Sequence, residues 1–145
     1  MRPFVAPMAC PCGRSVSVPG RQGGQPLPYA ECCGRLHLGV RGEGPFAEDA
    51  EALMRSRYSA FVLEDAAYLL ATWAPAQRPA SLDFESGVKW LGLTIRDAPQ
   101  STGSQAEVEF IARYKPPRGG AVRLHERSRF ECLDGRWFYV DGVQF

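Results

Sequence analysis

The chain has 145 residues, 45% of them apolar, and seventeen basic side chains nearly cancel sixteen acidic ones to leave a net charge of +1. That length suits one ordinary domain, or a small domain carrying a metal-held appendage. The charge balance gives no reason to expect a nucleic-acid or acidic-membrane partner. No apolar run approaches the roughly 18 residues of a membrane span, and the first residues are too short of apolar length for a secretory signal, so a cytoplasmic protein is expected.

Residues 1–44 are punctuated by Pro3, Pro7, Pro11, Pro19, Pro26 and Pro28 and by many glycines. Neither helical nor strand periodicity is evident there, and the stretch from Arg14 to Pro26 reads as a disordered insert. Four of the five cysteines fall in this segment, as Cys10-Pro11-Cys12-Gly13 and Cys32-Cys33-Gly34. Thiolate is a soft ligand, and two such pairs brought together make a tetrahedral sulfur site suited to zinc. A segment this poor in apolar residues cannot fold on its own core, so a bound metal would supply what is missing. In a reducing compartment clustered cysteines are metal ligands or redox groups more often than disulfides. C-x-C and C-C match the usual redox spacing, C-x-x-C, poorly. Cys132 stands apart and reads as a half-buried free thiol in a strand. Gly42-Glu43-Gly44-Pro45 reads as the linker out of the segment.

The texture changes at Phe46. From Ala47 to Glu64, apolar residues at Ala50, Leu53, Met54, Tyr58, Phe61 and Val62 have the three-four spacing of an amphipathic helix. A shorter helix is expected over 66–73, stopped by Pro75. After Gly87 the period falls to two. Strands are expected over 88–97, 107–114, 121–132 and 136–141, with Asp134-Gly135 as a tight turn and Pro116 to Gly120 as a longer loop. Helices followed by four antiparallel strands make an α+β domain in which helices lie on one face of a curved sheet.

Several blocks of this text resemble a known family. The CPCG and YAECCG stretches are similar to the SEC-C motif, the zinc-binding module also found at the end of the SecA translocation ATPase. Ala52 to Phe61 (ALMRSRYSAF), Leu70 to Trp73, His125 to Phe130 (HERSRF) and Trp137 to Gly142 (WFYVDG) resemble the YchJ-like bacterial proteins of unknown function. The resemblance implies a SEC-C module over 1–44 joined to a cystatin-like, nuclear-transport-factor-like cone over 45–145. It implies structural Zn2+ held by Cys10, Cys12, Cys32 and Cys33. His37 is a rival for the fourth position or a neighbour that orients the site. The gap between Cys12 and Cys32 is wider than the motif usually has, which puts in doubt any partner contact made through that loop.

Strand parity places Glu126 and Ser128 with Val122, Leu124 and Phe130 on the inner sheet face, where a carboxylate needs a partner. Arg57 on the long helix is the expected partner, as a buried ion pair. The mouth of the cone is expected to be lined by Arg57, Tyr58, Trp73, Trp90, Tyr114 and Glu126. His125 falls on the opposite face among Arg123, Arg127 and Arg129, where Glu107, Glu109 and Glu131 could pair across strands. A bulge in its strand would turn His125 inward and make it a general-base candidate. The chain has no phosphate-cradling glycine loop, hydrolase elbow or paired-carboxylate signature. The expected function is a non-enzymatic adaptor, meeting a protein partner through its zinc module, or a protein that binds a small ligand in the cone. The alternative is a small-molecule enzyme of isomerase, dehydratase or hydrolase type, using Glu126, His125 or Arg57.

Overall fold

The computed structural model describes residues 8–20 and 22–145. The loop expected over 1–7 lies outside them. Two three-residue strands, β1 (Ser15–Ser17) and β2 (Gly24–Pro26), pair antiparallel, and a single 3-10 turn (Tyr29–Glu31) leads into helix α1 (Cys33–Val40). Helices α2 (Ala50–Val62) and α3 (Ala66–Ala71) follow. The remaining strands, β3 (Lys89–Asp97), β4 (Gln105–Lys115), β5 (Val122–Leu133) and β6 (Arg136–Gln144), form one antiparallel sheet in sequence order.

The four long strands and two of the helices stand where the periodicity put them. Helix α2 starts at Ala50, three residues later than expected, because the Asp49 carboxylate accepts the Ala52 N–H at 2.7 Å and caps the first turn. Asp65 does the same for α3 through the Tyr68 N–H at 3.1 Å. The leading segment is more ordered than its text suggested. The insert forms a hairpin, with Gly20 and Gly23 in left-handed turn conformations, but all six of its strand residues are exposed, so no apolar alternation marks them. Helix α1 is likewise not expected from the sequence. It carries two glycines, and Gly39 is required because a side chain there would collide with the Pro45 carbonyl oxygen. Its buried Cys33, Leu36 and His37 nonetheless follow helical spacing.

Helix α2 is buried on nearly every side. Ala52, Leu53, Met54, Ser56, Arg57, Tyr58, Ser59 and Ala60 are all withdrawn from solvent. It touches α1 and α3 on one side and β3, β4 and β6 on the other. The inner sheet face supplies Val108, Phe110 and Ala112 from β4 and Ser128 and Phe130 from β5. These residues, α2 and the four clustered cysteines belong to one continuous core. Ladder pairing between β4 and β5 is regular from Gln105↔Glu131 to Tyr114↔Val122, so parity along β5 is preserved. The register shift between β5 and β6 lies on β6, where Phe130 pairs with Tyr139 and Arg129 with Asp141, leaving Val140 over. At that bulge Tyr139 is tied to the end of α3: its N–H donates to the Thr72 carbonyl and its carbonyl accepts the Ala74 N–H, both at 2.8 Å.

Phe130 is 1% exposed, and its truncation to alanine should cost about 3–5 kcal/mol, whereas Val143→Ser, at a side chain 65% exposed on the last strand, should stay within about 0.5 kcal/mol. Urea unfolding monitored by far-UV circular dichroism separates the two, and equal effects would misplace the core.

Candidate functional site

Two arrangements of functional side chains meet at α2. The first is a sulfur cluster. The Sγ atoms of Cys10, Cys12, Cys32 and Cys33 lie within 4.8 Å of one another, all four residues are buried, and none is in a disulfide. Cys12 and Cys32 are 3.6 Å apart. A zinc–sulfur bond of about 2.3 Å in a tetrahedron puts sulfurs about 3.8 Å apart, so this set of donors fits such an ion. Four sulfurs this close cannot all ionise unaided. Hydrogen bonds from Cys12 and Cys33 favour the Cys10 thiolate, those same contacts with Cys10 and Cys12 push the Cys33 thiol up, and burial pushes Cys32 up to about 12. A dication among them would reverse that competition. The cluster is fastened to α2. Cys10 Sγ lies 3.6 Å from Ser59 Oγ, Arg55 Nη1 donates to the Cys12 carbonyl at 3.1 Å, and Glu51 accepts from both Arg14 and Arg55 at 2.9 Å. The two arginines also bring positive charge to a shell of thiolates.

His37 is not one of the sulfur cluster's partners. Its Nε2 faces the Ser56 carbonyl at 2.8 Å and its Nδ1 faces the Tyr29 hydroxyl at 2.5 Å. The neutral tautomer with Nε2–H donating to Ser56 and Nδ1 accepting from Tyr29 satisfies both, and burial holds the imidazole pKa below its usual value. Both ring nitrogens are therefore engaged, and the ring ties α1 to α2. Cys132 is half-buried and free, as expected.

The second arrangement is a cavity of about 490 Å3 between α2 and the inner sheet face. Arg57, Tyr58, Trp73, Trp90, Tyr114 and Glu126 all line it. The rings of Trp90 and Tyr114 are 5.2 Å apart, and Tyr58 stands edge-on to Trp90 at 5.6 Å. Tyr139 and Ser128 also line it and were not singled out from the sequence, although β5 parity implied Ser128.

The expected Arg57–Glu126 ion pair is not made. Arg57 Nη1 donates to the Leu69 carbonyl and to Thr72 Oγ1, both at 2.8 Å, and its guanidinium sits against Trp73 at 5.2 Å and Tyr139 at 4.6 Å from the ring centroids. Glu126 turns instead to Ser128 Oγ at 2.5 Å and to the Tyr139 hydroxyl at 3.5 Å. Gly142 makes room for that carboxylate, which a side chain there would strike. Helical spacing and strand parity predicted which face each residue would take, but the bulge that brings Tyr139 against the guanidinium has no signature in either. Burial pulls the Arg57 pKa down to about 10, with Tyr139, Tyr68 and Glu126 opposing the shift through their charge.

His125 lies on the other face of the sheet and does not line the cavity, because no bulge interrupts β5 against β4. Its Nε2 meets Glu109 at 2.9 Å and its ring stacks on Phe145 at 4.6 Å. Arg127 bridges Asp97, Glu107 and Glu109, and Arg129 pairs with Asp141. The cross-strand carboxylate pairing is thus present for Glu107 and Glu109; Glu131 makes no such pair among the described residues.

Comparison with known proteins places these features in a lineage. A family model described as YchJ, middle NTF2-like domain, matches residues 49–142. A UPF0225 protein of Polaromonas sp. strain JS666 is 57% identical over 133 residues, 92% of this chain and 91% of that one. One from Streptomyces coelicolor is 50% identical over 135 residues, 92% and 93% of the two chains. The solution structure of a SEC-C motif containing protein from Rhodopseudomonas palustris superposes with a TM-score of 0.74 at 31% identity, covering 95% of this chain and 99% of that one. A crystal structure of a SEC-C motif containing protein from Psychrobacter arcticus gives 0.74 at 33% identity, with 92% and 80% covered. With four sulfurs drawn together before a helix-capped sheet, and relatives matched over nearly their whole length, the chain belongs to the YchJ-like UPF0225 family.

Proposed function

We propose that this protein is a non-enzymatic small-ligand binder whose cone is braced by a structural zinc ion. The observation that carries the reading is the cavity: about 490 Å3, walled by aromatic rings, with a buried arginine in its lining. Ligand sites of a few hundred Å3 with apolar walls and a small number of polar groups are the usual pattern. Arg57 and Glu126 are both turned to neighbouring protein groups and His125 is on the far face, so the three residues expected for acid–base chemistry do not gather as one set in the cavity.

Zinc fits Cys10, Cys12, Cys32 and Cys33 because four thiolates close its coordination shell. Such a shell leaves no place for a reacting water, so the ion would serve structure. It would fix the turns at Cys10–Gly13 and at the start of α1 against α2. Free thiols in a cluster of this kind are at home in a reducing compartment, which supports a cytoplasmic location. No described helix is long and apolar enough to cross a membrane.

Metal analysis of the purified protein should give one zinc per chain. Cys12→Ser should lose it, whereas His37→Gln should keep it and cost about 1–3 kcal/mol through the buried groups it leaves unmatched; loss of zinc in the histidine variant would make His37 a ligand after all. Chelation of the wild-type metal should lower the melting temperature and open the chain first to proteases ahead of Gly44.

Benzyl alcohol, a neutral aromatic probe, should shift the backbone amide signals of Tyr58, Trp90 and Tyr114 in heteronuclear NMR. Shifts spread evenly over the surface, with none at the cavity, would remove the ligand-binding reading.

A further inference from the structure

The cavity wall contains unmatched hydrogen-bond donors. Arg57 is 4% exposed, yet no carboxylate lies within 4.0 Å of its guanidinium among the described residues. Both of its protein hydrogen bonds leave from Nη1, to neutral acceptors, and Nε and Nη2 have no acceptor among those residues. Trp73 lies against the same guanidinium, and its buried indole N–H also lacks an acceptor there. Buried charges are ordinarily paired and buried donors ordinarily matched. Here a cation in the lining of the cavity is short of acceptors, for which an anionic group is best. A planar carboxylate suits a guanidinium fork.

The rest of the lining narrows the ligand. Phe61, Phe84 and Tyr58 gather around Trp90 and each other at 5.6–6.3 Å, edge-on or tilted, so a flat ring would extend an existing aromatic wall. Glu64, Asp83 and Glu85 also line the cavity and are exposed, and Glu126 adds a fourth negative charge within it. One arginine against four carboxylates tolerates a single negative charge placed at Arg57 but disfavours a dianion, which excludes phosphate esters as the better ligands.

Resting on the ligand-binding reading above, we propose that the cavity recognises aromatic monocarboxylates, with the carboxylate received by Arg57 and the ring packed against Tyr58, Trp90 and Tyr114. Glu126 is the selectivity element. It is held off Arg57 by Ser128 and Tyr139, so the guanidinium stays available, and its charge opposes any ligand with more negative charge than Arg57 can match.

Calorimetric titration of the zinc-loaded protein with benzoate, benzyl alcohol, benzylamine and phenyl phosphate at fixed ionic strength tests this. Benzoate should bind about tenfold more tightly than benzyl alcohol, the scale of one charge-assisted contact, and both benzylamine and phenyl phosphate should bind more weakly than benzoate. Arg57→Met should weaken benzoate far more than benzyl alcohol, so that the two bind about equally. Glu126→Gln, which keeps the acceptor for Ser128 and needs no buried arginine to be lost, should tighten benzoate severalfold relative to benzyl alcohol. Benzyl alcohol binding as well as benzoate, or benzylamine or phenyl phosphate binding better than benzoate, would overturn the monocarboxylate assignment while leaving the cavity a ligand site. A benzoate preference unmoved by Glu126→Gln and Arg57→Met would also overturn it. Failure of all four probes to bind would overturn the ligand-binding reading with it.

Discussion

Helix α2 has no solvent side to spare, and that constraint organises the molecule. A helix packed on a sheet normally needs one apolar stripe and leaves the opposite face to water. Here the opposite face is occupied by the cysteine cluster and α1, so Ser56 and Ser59 as well as Leu53 and Tyr58 are withdrawn from solvent. Polar groups can sit there only because each has a partner. Ser56 Oγ meets the Tyr68 hydroxyl at 2.6 Å and the Leu53 carbonyl at 2.8 Å, the Ser56 carbonyl takes His37, and Ser59 faces Cys10. A buried hydrogen-bond network of this kind tolerates little slack, since each lost partner leaves a desolvated group behind. The sulfur cluster is therefore more than a staple for the leading segment: it forms one wall of the slot in which α2 lies.

That geometry links the two arrangements along a single helix. Arg55 reaches back to the Cys12 carbonyl, Arg57 and Tyr58 reach forward into the cavity, and Ser59 returns to Cys10. Successive side chains on a helix turn by about 100°, so a helix gripped on both sides presents such alternating duties within five residues. The contacts to the sulfur wall and those to the cavity thus lie one residue apart on a shared element.

Much of this was readable in the residues, for identifiable reasons. The cysteine pairs announced soft-ligand chemistry because sulfur ligands need little else to identify them. Period-two alternation along β5 separated Glu126 from His125 correctly, because a single residue of slip would have exposed Phe130 and buried Arg129. The hairpin in the insert leaves no mark in the pattern because its strands are exposed, and periodicity reports burial, not hydrogen bonding. Helix α1 escaped because its glycines, which let it approach Tyr29 and Pro45, weaken the text of a helix while serving its packing. The Arg57–Glu126 pair was inferred from two opposite charges on facing elements. Tyr139, beside the β6 bulge, contacts both residues instead, its ring 4.6 Å from the guanidinium and its hydroxyl 3.5 Å from Glu126.

Tyr139 also takes part in holding an arginine this deep in the protein. Backbone bonds between Tyr139 and the Thr72–Ala74 turn lock the end of α3 onto β6, and this places Trp73 and Tyr139 on the same guanidinium, their own rings 5.5 Å apart. Two aromatic faces, a helix-end carbonyl and the Thr72 hydroxyl together offset part of the cost of removing the cation from water, and they do so without supplying a counter-charge. An ion pair would have neutralised Arg57 more fully and closed it to anything entering the cavity. Stabilisation by neutral groups keeps the charge uncancelled at the wall, which is the arrangement a protein needs if a buried cation is to be used for recognition and not only for holding a helix on a sheet.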